Sequence, residues 1–126
     1  MAAGLLRQLC SEMAEEVEVK SAGLWPGDAL APNALEAMRE VGIDISSDYP
    51  KLLTPALVEW ADFILCLDPR YAGVVEDKFP RAEARVSSLP TPISDPYGGS
   101  LSKYRECRAV LREELAQFVR DLHGAR

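Results

Sequence analysis

Histidine is the scarcest of the chemically useful residues in this chain, with His123 the only one in 126 positions. A single histidine excludes HExxH metalloenzymes and multi-histidine metal cages, and its place so near the last residue makes a histidine-based nucleophile triad unexpected. Cysteine is hardly commoner: Cys10, Cys66 and Cys107 are an odd number at wide, irregular spacing, so neither a disulfide framework nor a zinc site is expected. Each thiol reads first as a small buried hydrophobe. Long apolar runs are missing, none approaching the roughly 18 residues of a membrane span. The first ten residues also lack a basic n-region and a secretory cleavage site, so a cytoplasmic protein with no membrane partner is expected. Nucleotide-binding signatures are missing too, because no Gly-Lys pair exists for a Walker loop and no GxGxxG follows a strand. Positive charge is in deficit. Fourteen Lys and Arg against twenty Asp and Glu leave a net charge of -6, and a field of that sign repels nucleic acid. No metal or cofactor is expected.

What is present suits one globular domain over residues 1–126, with 48% of residues hydrophobic and 27% charged. Leu5, Leu6, Leu9 and Met13 recur at helical spacing from the first residues, with no visible N-cap before them. Val17 to Lys20 alternates as a short strand closed by Ser21-Ala22-Gly23, and Pro26-Gly27-Asp28 reads as a turn. Leu35, Met38 and Val41 make a second helical face, starting near Pro32 and ended by Gly42. Thr54-Pro55 and Asp68-Pro69 each place a capping side chain before a proline at the first helical position. Between those two starts, Phe63 to Leu67 is a continuous apolar run expected as a central parallel strand buried on both faces. Arg85 to Leu89 is a further strand. The last segment keeps three-four spacing through Leu101, Tyr104, Arg108, Leu111, Leu115, Phe118 and Leu122, with Ser100 as cap and Gly124 as stop. Helices interleaved with strands and no hairpin signal predict an α/β fold with a parallel sheet, in which ligands sit beyond the carboxyl ends of the strands.

The loop after the last strand is the richest chemically. In Asp95-Pro96-Tyr97-Gly98-Gly99 the proline fixes the backbone beside Asp95 and the diglycine lets the chain turn into the final helix. Spacing alone favours a plain turn in which Asp95 satisfies local amides; the chemical alternative is a proton donor. Cys66, at the end of the apolar strand, is the thiol best placed for chemistry, although a buried core role is the favoured reading for it.

Six markers in order make the chain resemble the bacterial low-molecular-weight protein tyrosine phosphatases. They are Met1 to Leu6, Ser21-Ala22-Gly23, Gly42-Ile43-Asp44-Ile45-Ser46, Leu53-Thr54, Ala61-Asp62-Phe63-Ile64-Leu65 and Asp95-Pro96-Tyr97-Gly98-Gly99-Ser100. The resemblance runs the whole length. It implies a three-layer α/β sandwich around a parallel sheet, and hydrolysis of a phosphorylated protein or small phosphomonoester through a cysteinyl-phosphate. In that family a Cys-x5-Arg loop supplies the nucleophile and cradles the phosphoryl oxygens, while an Asp-Pro aspartate protonates the leaving phenolate. By resemblance Asp95 takes the acid role, Tyr97 lines the pocket and Trp25 helps form its aromatic wall.

The departure is as informative as the match. The family's phosphate loop reads into Ser-Pro-Met-Ala, and this chain starts at that methionine, so the expectation is that the first, central strand and the phosphate loop are absent from it. No substitute can be written, since Cys10 is followed six residues on by Glu16, Cys66 by Ala72 and Cys107 by Glu113. The pairs Cys66–Arg70 and Cys107–Arg112 are too close for five amides to curl round a phosphate while an arginine fork returns to it. The leading expectation is a family phosphatase begun at an internal methionine and inactive as this chain stands. The alternatives are a non-catalytic pseudophosphatase that binds a partner, and the arsenate reductase or protein-arginine-phosphatase branch of the same fold. The reductase reading lacks a second thiol between Leu67 and Arg85.

Overall fold

A computed structural model describes residues 1–24, 30–48, 50–90, 93 and 96–124. The chain divides into two compact units, Met1–Lys51 with Ser94–Arg126 and Leu52–Ile93.

The first unit is helical. Helix α1 spans Ala2–Glu12, α2 spans Pro32–Arg39 and α5 spans Leu101–Gly124, with α1 and α2 both packed on α5. Its centre is the apolar stripe the helices share: Leu5, Met38, Ile45, Leu115 and Val119 are almost wholly buried. Full burial of one such side chain contributes about 1.5–3 kcal/mol, which makes this cluster the main source of the unit's stability. On α5 the buried positions are Tyr104, Cys107, Leu111, Leu115 and Val119. The seam therefore runs through Cys107 and Val119 rather than through Arg108 and Phe118, although the three-four spacing predicts the helix itself correctly. On α2 the buried face is Ala34, Ala37 and Met38, while the expected Val41 lies past the helix end and is exposed. Small alanines win those positions because they let α2 approach α5 closely.

Two glycines shape this unit. Gly42, at φ +78°, ends α2: its N–H donates to Arg39 O and the Ile43 N–H donates to Met38 O, both at 3.0 Å. This is the paired bonding of a Schellman motif, which turns the chain so that Ile43 and Ile45 fall back on α1. Gly4 receives them. A Cβ at Gly4 would stand 2.9 Å from Ile45 Cγ2 and 3.0 Å from Ile43 Cγ2.

Arginine–carboxylate pairs tie the helices at their rims. Glu40 accepts from Arg105 Nε at 2.9 Å and from Arg108 Nη1 at 2.9 Å, and Arg108 also donates to Ala37 O at 2.6 Å. The hydrogen bond from Arg105 leads the effects that hold the Glu40 carboxyl down to about 2. Arg7 reaches Asp48 at 2.7 Å and donates to Val19 O at 2.9 Å. The buried Glu15 meets His123 Nδ1 at the far end of α5. Val17 to Lys20, expected as a strand, forms none: it runs without ladder partners among the described residues, and the Val19 carbonyl is held by Arg7 instead of by a neighbouring strand. Alternating pattern confers the capacity to pair and cannot supply the partner.

The second unit carries the sheet. Helix α3, Pro55–Trp60, is capped by Thr54 Oγ1 accepting from the Leu57 N–H at 3.3 Å. Strand β1, Phe63–Cys66, leads into helix α4, Pro69–Lys78, which returns the chain to strand β2, Arg85–Ser88. The strands are parallel, with Phe63 opposite Arg85 and Cys66 opposite Ser88. Bonds from Arg85 N to Asp62 O and from Leu89 N to Cys66 O extend the ladder at each end. β1 is not buried on both faces as its apolar run suggests. Phe63 is 44% exposed, with the Arg85 guanidinium 5.6 Å above its ring, and Cys66 alone in the strand is buried. A parallel strand is buried on both faces only where helices cover the sheet above and below, and within this unit α4 is the helix packed against β1.

Two outcomes follow from this packing. Alanine outside such a contact stabilises a helix by about 1 kcal/mol over glycine. At Gly4 the added methyl meets two stiff β-branched side chains, and overpacking costs about 1–3 kcal/mol. Gly4→Ala is therefore expected to lower the urea midpoint with no change in slope, and an equal or higher midpoint would contradict the contact. Glu40 has a folded pKa of about 2 against an ordinary 4.5, so its stabilisation is complete above the ordinary value and is lost as pH falls toward the folded one. The melting-temperature gap between wild type and Glu40→Gln should thus be widest at neutral pH and should close through that window. An equal gap in acid would show that the two arginines do not act through the carboxylate's charge.

Candidate active site

The loop into α5 is built from local rules. Pro96 opens a tight turn closed by the Gly99 N–H donating to Pro96 O at 2.8 Å, with Gly98 at φ +77° in its third position, as a type II turn requires. Gly98 is needed for that backbone conformation. Gly99 is needed for space, because a Cβ there would lie 2.8 Å from Pro96 O and 3.2 Å from Lys103 Cβ. Ser100 then caps α5, its Oγ accepting from the Lys103 N–H at 3.3 Å. The turn presents Tyr97 outward, 79% exposed. At that exposure Tyr97 is no part of the core. Asn33, in the first turn of α2, donates from Nδ2 to Gly99 O at 3.2 Å and ties the turn to that helix. Of the three residues singled out from the sequence, the structure describes Tyr97; Asp95 and Trp25 lie outside the described residues.

The thiols are poorly suited to nucleophilic attack. All three are buried and none is in a disulfide. Burial, with a smaller contribution from the Glu76 carboxylate, pushes the Cys66 thiol above its ordinary range. A reactive cysteine needs the opposite environment, electropositive and partly open. The arginine nearest Cys66 in sequence cannot supply it. Asp68, buried at the cap of α4, accepts from the Arg70 backbone N–H at 2.8 Å and from Arg70 Nη2 at 2.6 Å, and this hydrogen bonding holds Asp68 low and Arg70 high. Arg112, five residues from Cys107, reaches Gln8 Oε1 at 3.2 Å and Glu12 Oε2 at 3.3 Å on α1. Both guanidinium groups are thus already engaged, Arg70 by Asp68 and Arg112 by Gln8 and Glu12.

Several of these residues carry no readable mark in the sequence. Asn33 and Gly99 are 66 positions apart, Glu15 and His123 are 108 apart, and such pairs are set by the fold alone. The Asp68–Arg70 pair was within reach, since an acidic N-cap two residues before an arginine places both at one helix start.

The fold has counterparts among known proteins. The family model described as low molecular weight phosphotyrosine protein phosphatase matches residues 1–125. A protein-arginine-phosphatase of Bacillus subtilis (strain 168) is 29% identical over 131 residues, covering 97% of this chain and 87% of that protein. An arsenate reductase of Shouchella clausii (strain KSM-K16) is 37% identical over 114 residues, covering 90% of this chain and 74% of that protein. The solution structure of a low molecular weight protein tyrosine phosphatase from Bacillus subtilis superposes with a TM-score of 0.85 at 27% identity, covering 98% of this chain and 87% of that one. With a match that spans nearly every residue and the α/β fold these structures share, the chain belongs to the low molecular weight phosphotyrosine protein phosphatase family.

Proposed function

We propose that residues 1–126 make up one cytoplasmic phosphatase-like domain that carries the family's proton donor and pocket wall without its nucleophile. Asp95 is the general acid, and Tyr97 and Trp25 line the face where a phosphorylated side chain of a protein would enter. The observation that carries this reading is a contrast within the sequence. The Asp95-Pro96-Tyr97-Gly98-Gly99 element is intact, and its Gly98 and Gly99 meet the conformational and steric demands of the turn, whereas no Cys-x5-Arg spacing occurs anywhere. Phosphoryl transfer in the family needs a thiolate to attack phosphorus, amides and an arginine fork to hold the equatorial oxygens, and an acid for the leaving oxygen. Asp95 supplies the last alone. The raised Cys66 thiol and the engagement of Arg70 by Asp68 support the view that no improvised nucleophile site takes over.

Phosphoarginine is a second substrate reading, supported by the Bacillus subtilis protein-arginine-phosphatase that covers 97% of this chain. An acid at Asp95 serves either chemistry, since a leaving phenolate and a leaving guanidine both need a proton. Arsenate reduction is less well supported despite the 37% identical reductase, because passing a disulfide onward needs a second thiol and residues 67–85 contain none.

The 126-residue protein, with its mass verified, is expected to hydrolyse p-nitrophenyl phosphate no faster than buffer, and robust turnover would overturn the nucleophile argument. Where in-frame codons upstream of Met1 encode a strand and a Cys-x5-Arg loop, the longer protein should be active. In it Asp95→Ala should slow a poor leaving group by about 10²- to 10⁴-fold and an activated aryl phosphate far less. An equal loss on both substrates would argue against the acid role.

A further inference from the structure

We propose that Asn33 is a positioning residue for the acid loop, acting through the Gly99 carbonyl; this rests on the reading that Asp95 donates the proton. Helix α2 begins with Ala31 at its N-cap, where no side chain caps the helix, followed by Pro32. An asparagine next in line is a poor helix former that ordinarily bonds its own neighbouring backbone. Here its amide is turned outward to Gly99 O at 3.2 Å, across 66 residues, and the contact is partly buried. A local preference is given up for a distant one, which is the mark of a residue placed for what it holds.

The anchor is firm and the object it holds is small. Ala37 and Met38 of α2 are fully buried, Ala37 O accepts from Arg108 at 2.6 Å, and Glu40 is gripped by Arg105 and Arg108. The turn is stiff within itself: Gly99 N donates to Pro96 O, Gly98 holds its positive φ, and Ser100 is committed to capping α5. A stiff turn bonded to a fixed helix moves as one body, so the Asn33 bond sets where the turn that begins at Pro96 sits against α2. An acid contributes only when its proton lies within hydrogen-bond reach of the leaving atom. Asn33 touches no reacting atom; its effect passes through the turn.

Amide hydrogen exchange in the 126-residue protein tests this directly. Removing one partly buried bond should speed exchange at Gly99 about three- to tenfold in Asn33→Ala, with protection in the middle of α2 and α5 unchanged. Asn33→Gln, which keeps the donor, should recover most of the protection. Unchanged Gly99 exchange in Asn33→Ala, a uniform rise across both helices, or failure of the glutamine to rescue would each overturn the proposal. In the longer, active protein, Asn33→Ala should lower kcat for poor leaving groups selectively while KM holds. If Asp95→Ala shows that selectivity and Asn33→Ala does not, the positioning role fails. If Asp95→Ala itself shows none, the acid reading fails while the exchange result still stands.

Discussion

Every arginine within five residues of a cysteine in this chain is engaged with a carboxylate. Arg7 is held by Asp48, Arg70 by Asp68, Arg105 and Arg108 by Glu40, and Arg112 by Glu12. That pairing governs two things at once. It fastens α1 and α2 to α5 at their rims, and it leaves each of these guanidinium groups engaged by a carboxylate. A thiol becomes a nucleophile when positive charge stabilises its anion. Here the nearby positive charge is neutralised, and Cys66 is driven the other way by burial.

Stability has a different origin. The side chains that do most to hold the first unit are apolar, and the exposed ion pairs chiefly fix how the helices are rotated against one another. Packing is close at Gly4, where the loop bearing Ile43 and Ile45 presses on α1 after the Gly42 turn has sent it back. The acid loop enters the same framework through Asn33 on α2. The helices are thus both the source of the unit's stability and the support for the element that carries the proposed chemistry. In the second unit the βαβ arrangement of β1, α4 and β2 is set by parallel pairing, with Asp68 closing the strand-to-helix junction.

What could be read from the sequence was local in origin. The starts of α3, α4 and α5 were visible because a capping side chain stands just before the first turn, and the end of α2 because Gly42 alone tolerates the conformation required there. The α/β architecture followed from the alternation of those elements. What resisted reading depends on partners. Val17 to Lys20 has the pattern of a strand and no ladder; Phe63 belongs to an apolar run and is half open to solvent. The α2 seam is lined by Ala34 and Ala37, which a search for large apolar residues passes over. At the site, Asp95-Pro96-Tyr97-Gly98-Gly99 announced itself through resemblance, and the demands on Gly98 and Gly99 were legible in outline. Asn33 was not, since nothing near it in sequence hints at a contact 66 residues away.

The central proposal is that this chain carries the family's Asp-Pro acid element without a nucleophile or an oxyanion cradle for phosphorus. Titration calorimetry of orthovanadate into the 126-residue protein tests it most directly, because vanadate reports the nucleophile and the oxyanion cradle together. The account expects no saturable heat. One-to-one binding, with perturbed backbone amides and an arginine side chain drawn from within these residues, would contradict it.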